Sequence, residues 1–241
     1  MKKIIALLFA IVAVCGAQAE TNESKAIWGK GRYTNIGYTF SQTATDNQPI
    51  DKSQFSGFIR KGASYLFPGH ALGNVVKIGF DINWFEVSTS KYKSTDVISS
   101  NWDDEAFEDG ESELLNIGRW NIMLGAFGIG PNVTVAPFAS LNNGARFLKA
   151  SIYFHYQPTM GAYLVSESGE TDISYAYCNM WQFGGKITWK NFGIGIEGYW
   201  GKGKFNRLAL DEDEDENISF NTSDKVNRKF ANTRLYLNFS F

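Results

Sequence analysis

Cysteine, histidine and proline are scarce in this chain, and each scarcity removes a class of explanation. There are two cysteines and five prolines in 241 residues, and only two histidines. The cysteines are Cys15 and Cys178, and Cys15 falls in an N-terminal segment with the character of a leader. With Cys178 alone in the mature chain no intramolecular disulfide can form, so its thiol is expected to be a packed residue. Beyond the N-terminus no apolar stretch is long enough for a membrane-spanning helix. A basic excess is also missing. Without Lys2 and Lys3, the 23 Lys and Arg fall to 21 against 25 Asp and Glu, a net charge of −4. That balance argues against a nucleic-acid partner, which needs a basic stripe.

Aromatic residues and glycine, in contrast, are plentiful. Aromatics make up 15% of the chain, and there are 24 glycines. At the N-terminus, Lys2 and Lys3 precede an apolar run from Ile4 to Val14, and Ala17-Gln18-Ala19 supplies a small-x-small cleavage pattern. Residues 1–19 are therefore expected to be a cleaved export signal. A lipoprotein is the alternative, but Val14 stands where a lipobox carries Gly, Ala or Ser. Residues 20–26 are expected to form a short segment ahead of one domain, 27–241.

Within that domain, apolar and polar residues alternate with period two almost throughout, the mark of strands. Val76, Ile78, Phe80, Ile82 and Trp84 share one face, opposite Lys77, Gly79, Asp81 and Asn83. Trp181, Phe183, Gly185, Ile187 and Trp189 oppose Met180, Gln182, Gly184, Lys186 and Thr188. After a Lys190-Asn191 turn, Phe192, Ile194, Ile196, Gly198 and Trp200 repeat the pattern, and Thr233 to Phe241 repeats it again. An exported, aromatic-rich chain of this kind fits an antiparallel up-and-down transmembrane β-barrel, whose lipid-facing and lumen-facing side chains cancel in average hydropathy.

The expected strands are 27–42, 54–66, 75–87, 114–138, 147–165, 174–189, 192–205 and 228–241. Eight are favoured because about ten tilted residues span a bilayer. Ten strands result if Gly130-Pro131-Asn132 and the stretch after Gln157 are turns rather than bulges or kinks. Asn142-Asn143-Gly144 is a further turn signal. Outer loops are expected at 43–52, 88–113, 166–173 and 206–227. Arg32 and Lys61 interrupt apolar faces in the first two strands, and a bulge near Gly29, Gly31 or Gly62 would reset the register.

Leu235, Tyr236, Leu237, Phe239 and Phe241, in the terminal run LYLNFSF, resemble the assembly signal of bacterial outer-membrane proteins. With the export pattern and the hairpin spacing, the chain resembles small outer-membrane barrels of the OmpA/OmpX type. The stretches VKIGFD and GPNVT are similar to those in uncharacterised barrels of Bacteroides-like bacteria. The resemblance implies residence in the cell outer membrane, contact with its lipid and lipopolysaccharide, and recognition by the barrel-assembly machinery. It also puts the C-terminus on the periplasmic side. No appended periplasmic domain is expected, so the peptidoglycan-anchoring role of the OmpA class does not carry over.

Parity places Arg60, Lys77, Asp81, Arg119, Lys149, Lys186, Glu197 and Arg234 on the face expected to line the lumen. Two readings follow, a packed ionic core or a narrow solute channel. A third keeps the alternation but inverts it: a secreted, soluble lipocalin-like barrel with its apolar face inward. Outer loops are expected to be acidic. One carries Asp103, Asp104 and Glu105, and another the run Asp211, Glu212, Asp213, Glu214, Asp215, Glu216. Neither has the ligand spacing of a calcium loop, so solvated loops are expected, with divalent cations bridging them to lipopolysaccharide or a partner as the sharper alternative. For catalysis, His70 sits in a turn, and His155 has Tyr153 and Gln157 two positions away rather than a serine. No enzyme, cofactor or resident metal is expected. The leading function is a non-enzymatic barrel presenting loops for surface interaction or envelope integrity. The aromatics Trp84, Trp181, Trp189, Trp200, Phe138, Phe239 and Phe241 should lie near strand ends, with Trp189, Phe192, Phe239 and Phe241 at one rim.

Overall fold

The computed structural model describes residues 27–28, 31–45, 51–67, 75–92, 118–167, 170–212, 218–221 and 225–241. The expected leader, residues 20–26, His70 and the Asp103–Glu105 cluster fall outside these residues. Ten strand segments dominate what is described: β1 (Gly31–Phe40), β2 (Gln42–Thr45), β3 (Asp51–Leu66), β4 (Val76–Tyr92), β5 (Gly118–Val135), β6 (Leu148–Glu167), β7 (Glu170–Trp189), β8 (Phe192–Glu212), β9 (Ile218–Asn221) and β10 (Lys225–Ser240). All pairings are antiparallel. The ring closes where β1 meets β10, from Tyr33 opposite Ser240 to Phe40 opposite Thr233. β1 and β2 each pair with β3 and with β10, so together they make one wall strand broken at Ser41. β9 pairs only with β8. The wall is accordingly eight strands around, an all-β barrel.

Polarity settles which face is inside. Ile194 is 63% exposed and Leu237 51%, whereas Arg60, Glu197 and Arg234 are at most 1% exposed. A soluble lipocalin-like barrel needs the opposite arrangement, and that alternative is overturned. An outer wall of Ile, Leu, Phe and Trp matches hydrocarbon, while the closed ring pairs each wall strand with a neighbour on both sides. This is a membrane-spanning barrel. No helix among the described residues is long and apolar enough to cross a membrane, and the strands do the crossing.

Several expected boundaries move, each for a physical reason. The first strand begins at Gly31 rather than at 27. Ile27 and Trp28 instead tuck beneath Ala136, Leu66 and Ala139 at one end of the lumen. Loops expected at 88–113, 166–173 and 206–227 are partly strand: β4 runs to Tyr92, β6 and β7 pair as far as Glu167 opposite Glu170, and Leu210 in β8 pairs with Phe220 in β9. The backbone ladder there continues through stretches of mostly polar sequence. A reading keyed to apolar alternation stops too early at those points.

Neither proline-containing site is a turn. Pro158 pairs with Asn179 of β7, and on its other side it lies opposite a bulge in β5 where the β5–β6 register shifts between Gly125 and Ile129. A residue without an N–H fits where the neighbouring ladder has no bond to offer. Phe127, in that bulge, holds a left-handed φ of 53°. Gly130 lies so close to the Phe154 backbone that any Cβ would collide with it. No register shift occurs from Gly31 to Tyr38, whereas the expected shift at Gly62 is present in the β3–β4 pairing, between Lys61 and Gly62; Gly29 lies outside the described residues. Arg32 and Lys61 simply project outward, and Arg32 lies at the rim, where its carbonyl accepts from the Phe241 N–H at 2.8 Å.

The two ends of the barrel differ. At one end lie the Lys190-Asn191 turn, with Lys190 at φ 52°, and a short 3-10 helix, Gly144–Phe147. The Asn143 side chain caps that helix by accepting from the Ala145 N–H at 3.0 Å. Trp189 pairs with Phe192, whose ring meets that of Phe239 at 5.2 Å. At the other end β4, β6, β7 and β8 extend furthest.

Candidate functional site in the lumen

One residue that sequence parity missed organises the interior. The alternation Val76 to Trp84 would send Glu86 outward with them. At Trp84, however, the β3–β4 register shifts: Lys61 faces Phe85, while Gly62 faces Asn83. Trp84 and Phe85 both point to the outside, and every later residue of β4 changes face. Glu86 turns inward and is 1% exposed. The legible signal was two adjacent aromatics where an alternating strand carries one.

Glu86 and Arg60 stand directly opposite each other across β3 and β4, and Glu197 and Arg234 do so across β8 and β10. The two pairs meet in the lumen. Arg60 Nε lies 2.6 Å from Glu86 Oε2, and its Nη2 lies 2.5 Å from Glu197 Oε1. Arg234 Nη1 reaches Glu86 Oε1 at 2.9 Å and Glu197 Oε1 at 3.1 Å. Two cations and two anions thus form a neutral bar across the barrel. Tyr153 from β6 donates to Glu197 at 2.5 Å, and Gln182 from β7 donates to Glu86 at 3.4 Å. The Arg234 guanidinium lies 3.7 Å over the Tyr199 ring and 4.5 Å over Phe58. Ion pairs this dry hold only where each charge has a partner; Arg234 Nε and Nη2 make no hydrogen bond among the described residues, and the guanidinium lies against the two rings instead.

A second cluster lies towards the short-turn end. Asp81 accepts from the Tyr33 hydroxyl at 2.5 Å and from Ser64 at 3.1 Å, with Lys186 Nζ at 3.8 Å and His155 Nε2 at 4.0 Å. Asn83, Gln157, Gln182 and His155 are hydrogen-bonded together beside it. His155 stacks on Tyr153 with ring centroids 4.7 Å apart. Lys77 closes this end, with its Nζ over the Trp28 ring at 5.3 Å, and Lys149 donates to the Ile27 carbonyl at 3.2 Å.

The opposite end of the lumen holds an aromatic and aliphatic cluster beside buried hydroxyls and amides such as Ser41, Thr43, Ser90 and Asn232. Tyr92, Met123, Tyr163, Cys178, Met180, Tyr199, Phe205 and Phe230 pack into one cluster. Arg228 lies 3.8 Å over Tyr163 at its edge, and Arg119 pairs with Asp51 at 3.0 Å in the mouth.

Of the eight charged residues expected to line the lumen, Arg60, Glu197 and Arg234 join the bar, and Asp81 and Lys186 join the second cluster. Lys77 and Lys149 sit at the short-turn end, and Arg119 stays at the far mouth, apart from the others. Leu235, Leu237 and Phe241 face outward and Tyr236 inward, where its hydroxyl meets that of Tyr153 at 2.8 Å. Asp211 and Glu212 belong to the β8 backbone and pair with Ser219 and Ile218. Asp213, Glu214, Asp215 and Glu216 lie outside the described residues.

No protein-family model matches the chain, and no curated protein matches it. Among solved structures it is similar to Neisserial surface protein A, with 10% identity over 87% of this chain and 97% of that one and a TM-score of 0.41. It is also similar to the outer membrane protease OmpT from Escherichia coli, at 8% identity, 88% and 93% coverage and a TM-score of 0.39. Ail, the attachment invasion locus protein of Yersinia pestis, matches at 12% identity, 88% and 99% coverage and a TM-score of 0.38.

Proposed function

We propose that this outer-membrane barrel is non-conducting and serves as a membrane-embedded platform rather than as a pore or an enzyme. The observation that carries the reading is the bar of Arg60, Glu86, Glu197 and Arg234, whose side chains are at most 2% exposed and join β3 and β4 to β8 and β10 across the lumen. Eight-stranded barrels are narrow enough for side chains to fill, and here charge, amide and aromatic groups fill it in successive layers. His155 belongs to that filling, at 1% exposure among Tyr153, Asn83 and Gln182. A solute would have to displace both the ionic bar and the aromatic cluster to pass.

Several strands outrun the apolar belt, β4 to Tyr92 and β8 to Glu212 among them. The sequences joining β4 to β5 and β8 to β9 hold the acidic runs, which suits presentation to an aqueous phase and surface interaction. Purified full-length protein inserted into planar bilayers tests the filled lumen. We expect insertion, verified by co-sedimentation with lipid, without regular unitary current steps. Reproducible steps of one size would overturn the reading in favour of a narrow channel.

A further inference from the structure

The outer wall carries a sharp chemical boundary on β7, β8 and β10. Trp181, Trp200 and Ala231 stand side by side in register and end the apolar belt. From Phe239 up to Ala231 that belt spans nine residues of β10, matching the roughly 9–11 that a tilted strand needs to cross the hydrocarbon. The next outward row is Asn179, Lys202 and Lys229, with Lys202 directly opposite both of the others. Above it Lys204 faces Asn227, with Tyr177 beside them. These residues line a notch of about 500 Å³ on the outside of the barrel.

Three features of this notch ask for an anion. Like charges directly opposite on neighbouring strands repel, and Lys202 and Lys229 are so placed. Among the described residues, Lys202, Lys204 and Lys229 have no ion-pair partner. Finally, the four acidic side chains described, Asp51, Asp81, Glu86 and Glu197, all point into the barrel or its mouth, so none of them offers a counter-charge on the outer wall. The row above interfacial tryptophans is the depth of lipid headgroups. Three lysines on adjacent strands there suit phosphate, with the Asn179 amide and Tyr177 hydroxyl as neutral partners.

Resting on the outer-membrane reading above, we propose that Lys202, Lys204 and Lys229, with Tyr177 and Asn179, form a docking site for the phosphorylated headgroup of an outer-leaflet glycolipid of the lipid A type. Its acyl chains would lie along the apolar wall below, beside Trp181 and Trp200.

Those two tryptophans report on the site. Full-length protein refolded in neutral detergent is titrated with bis-phosphorylated lipid A while intrinsic fluorescence is followed. Saturable binding is expected, weakening by about fivefold for each lysine replaced by glutamine, with Lys202→Gln/Lys204→Gln/Lys229→Gln weakest. Lys91→Gln, elsewhere on the wall, should bind as wild type does. The corresponding Lys→Arg variants should retain binding, and altered gel mobility on boiling confirms that each variant is folded. If the triple variant does not fold, Lys229→Gln alone decides the matter. Dephosphorylated lipid A, phosphatidylglycerol and inorganic phosphate should each bind far more weakly. The proposal is overturned if the lysine variants bind like wild type, or if dephosphorylated lipid A binds equally. Equal competition by phosphatidylglycerol or by inorganic phosphate overturns the assignment to this glycolipid class. Failure of the outer-membrane reading itself would look different: the wild-type protein would not fractionate with outer membrane from cells.

Discussion

The two halves of the lumen solve the same problem with opposite chemistry. Towards the short-turn end the interior is ionic, built from Arg60, Glu86, Glu197 and Arg234 and the Asp81 cluster. Towards the other end it is built round an aromatic and aliphatic cluster, from Tyr92 and Met123 to Phe205 and Phe230, with small hydroxyls and amides beside it. The ionic half is specific: each charge requires particular partners on particular strands, so it fixes which strands face which. The apolar half is tolerant, because packing needs volume more than pairing. The contrast teaches that register in this barrel is enforced where the charges are.

Breaking the register should therefore have the largest effect. Inserting one alanine between Phe85 and Glu86 shifts Glu86 to the lipid-facing side, leaving Arg60 and Arg234 short of an anion. We expect no folded, heat-modifiable species on gels after refolding into vesicles. An insertion variant that folds like wild type would show that the residue count up to Phe85 does not set the face of Glu86.

Next in size is Glu86→Gln, which keeps the shape and removes one charge. It leaves the two arginines sharing Glu197 and should cost about 3–5 kcal/mol in urea unfolding from vesicles. Phe205→Ala probes the other half. It opens space against Cys178, Phe230 and Gly161 and should cost about 3 kcal/mol if the site does not collapse. Partial refilling by Met180 or Phe230 would bring it lower, and that is the direction expected for a tolerant region. Equal sensitivity of the two halves to such substitutions would erase the distinction between them.

Much of this was legible before any coordinates. Alternation in Val76–Trp84, Trp181–Trp189 and Phe192–Trp200 predicts strands because a pleated strand between lipid and a polar interior must alternate. The lumen-facing assignment of Arg60, Asp81, Lys186, Glu197 and Arg234 follows from the same period. Glu86 escaped because a single extra residue at Trp84 inverts parity for the remainder of β4, and composition does not register a bulge. The far strand ends escaped because their sequences, such as residues 88–91 and 167–172, are mostly polar and imitate loops.

The sequence by itself determined that the chain is an alternating, antiparallel β protein, since period two is a local property of neighbouring residues. Tertiary structure alone decided which face is inside, that eight wall strands close the ring, and that Glu86 belongs to the interior. It alone brought Arg60 within reach of Glu197, 137 positions away. It also set Lys202 opposite Lys229 on the outer wall. Those outcomes depend on ring closure and on register between distant strands, and no local pattern encodes either one.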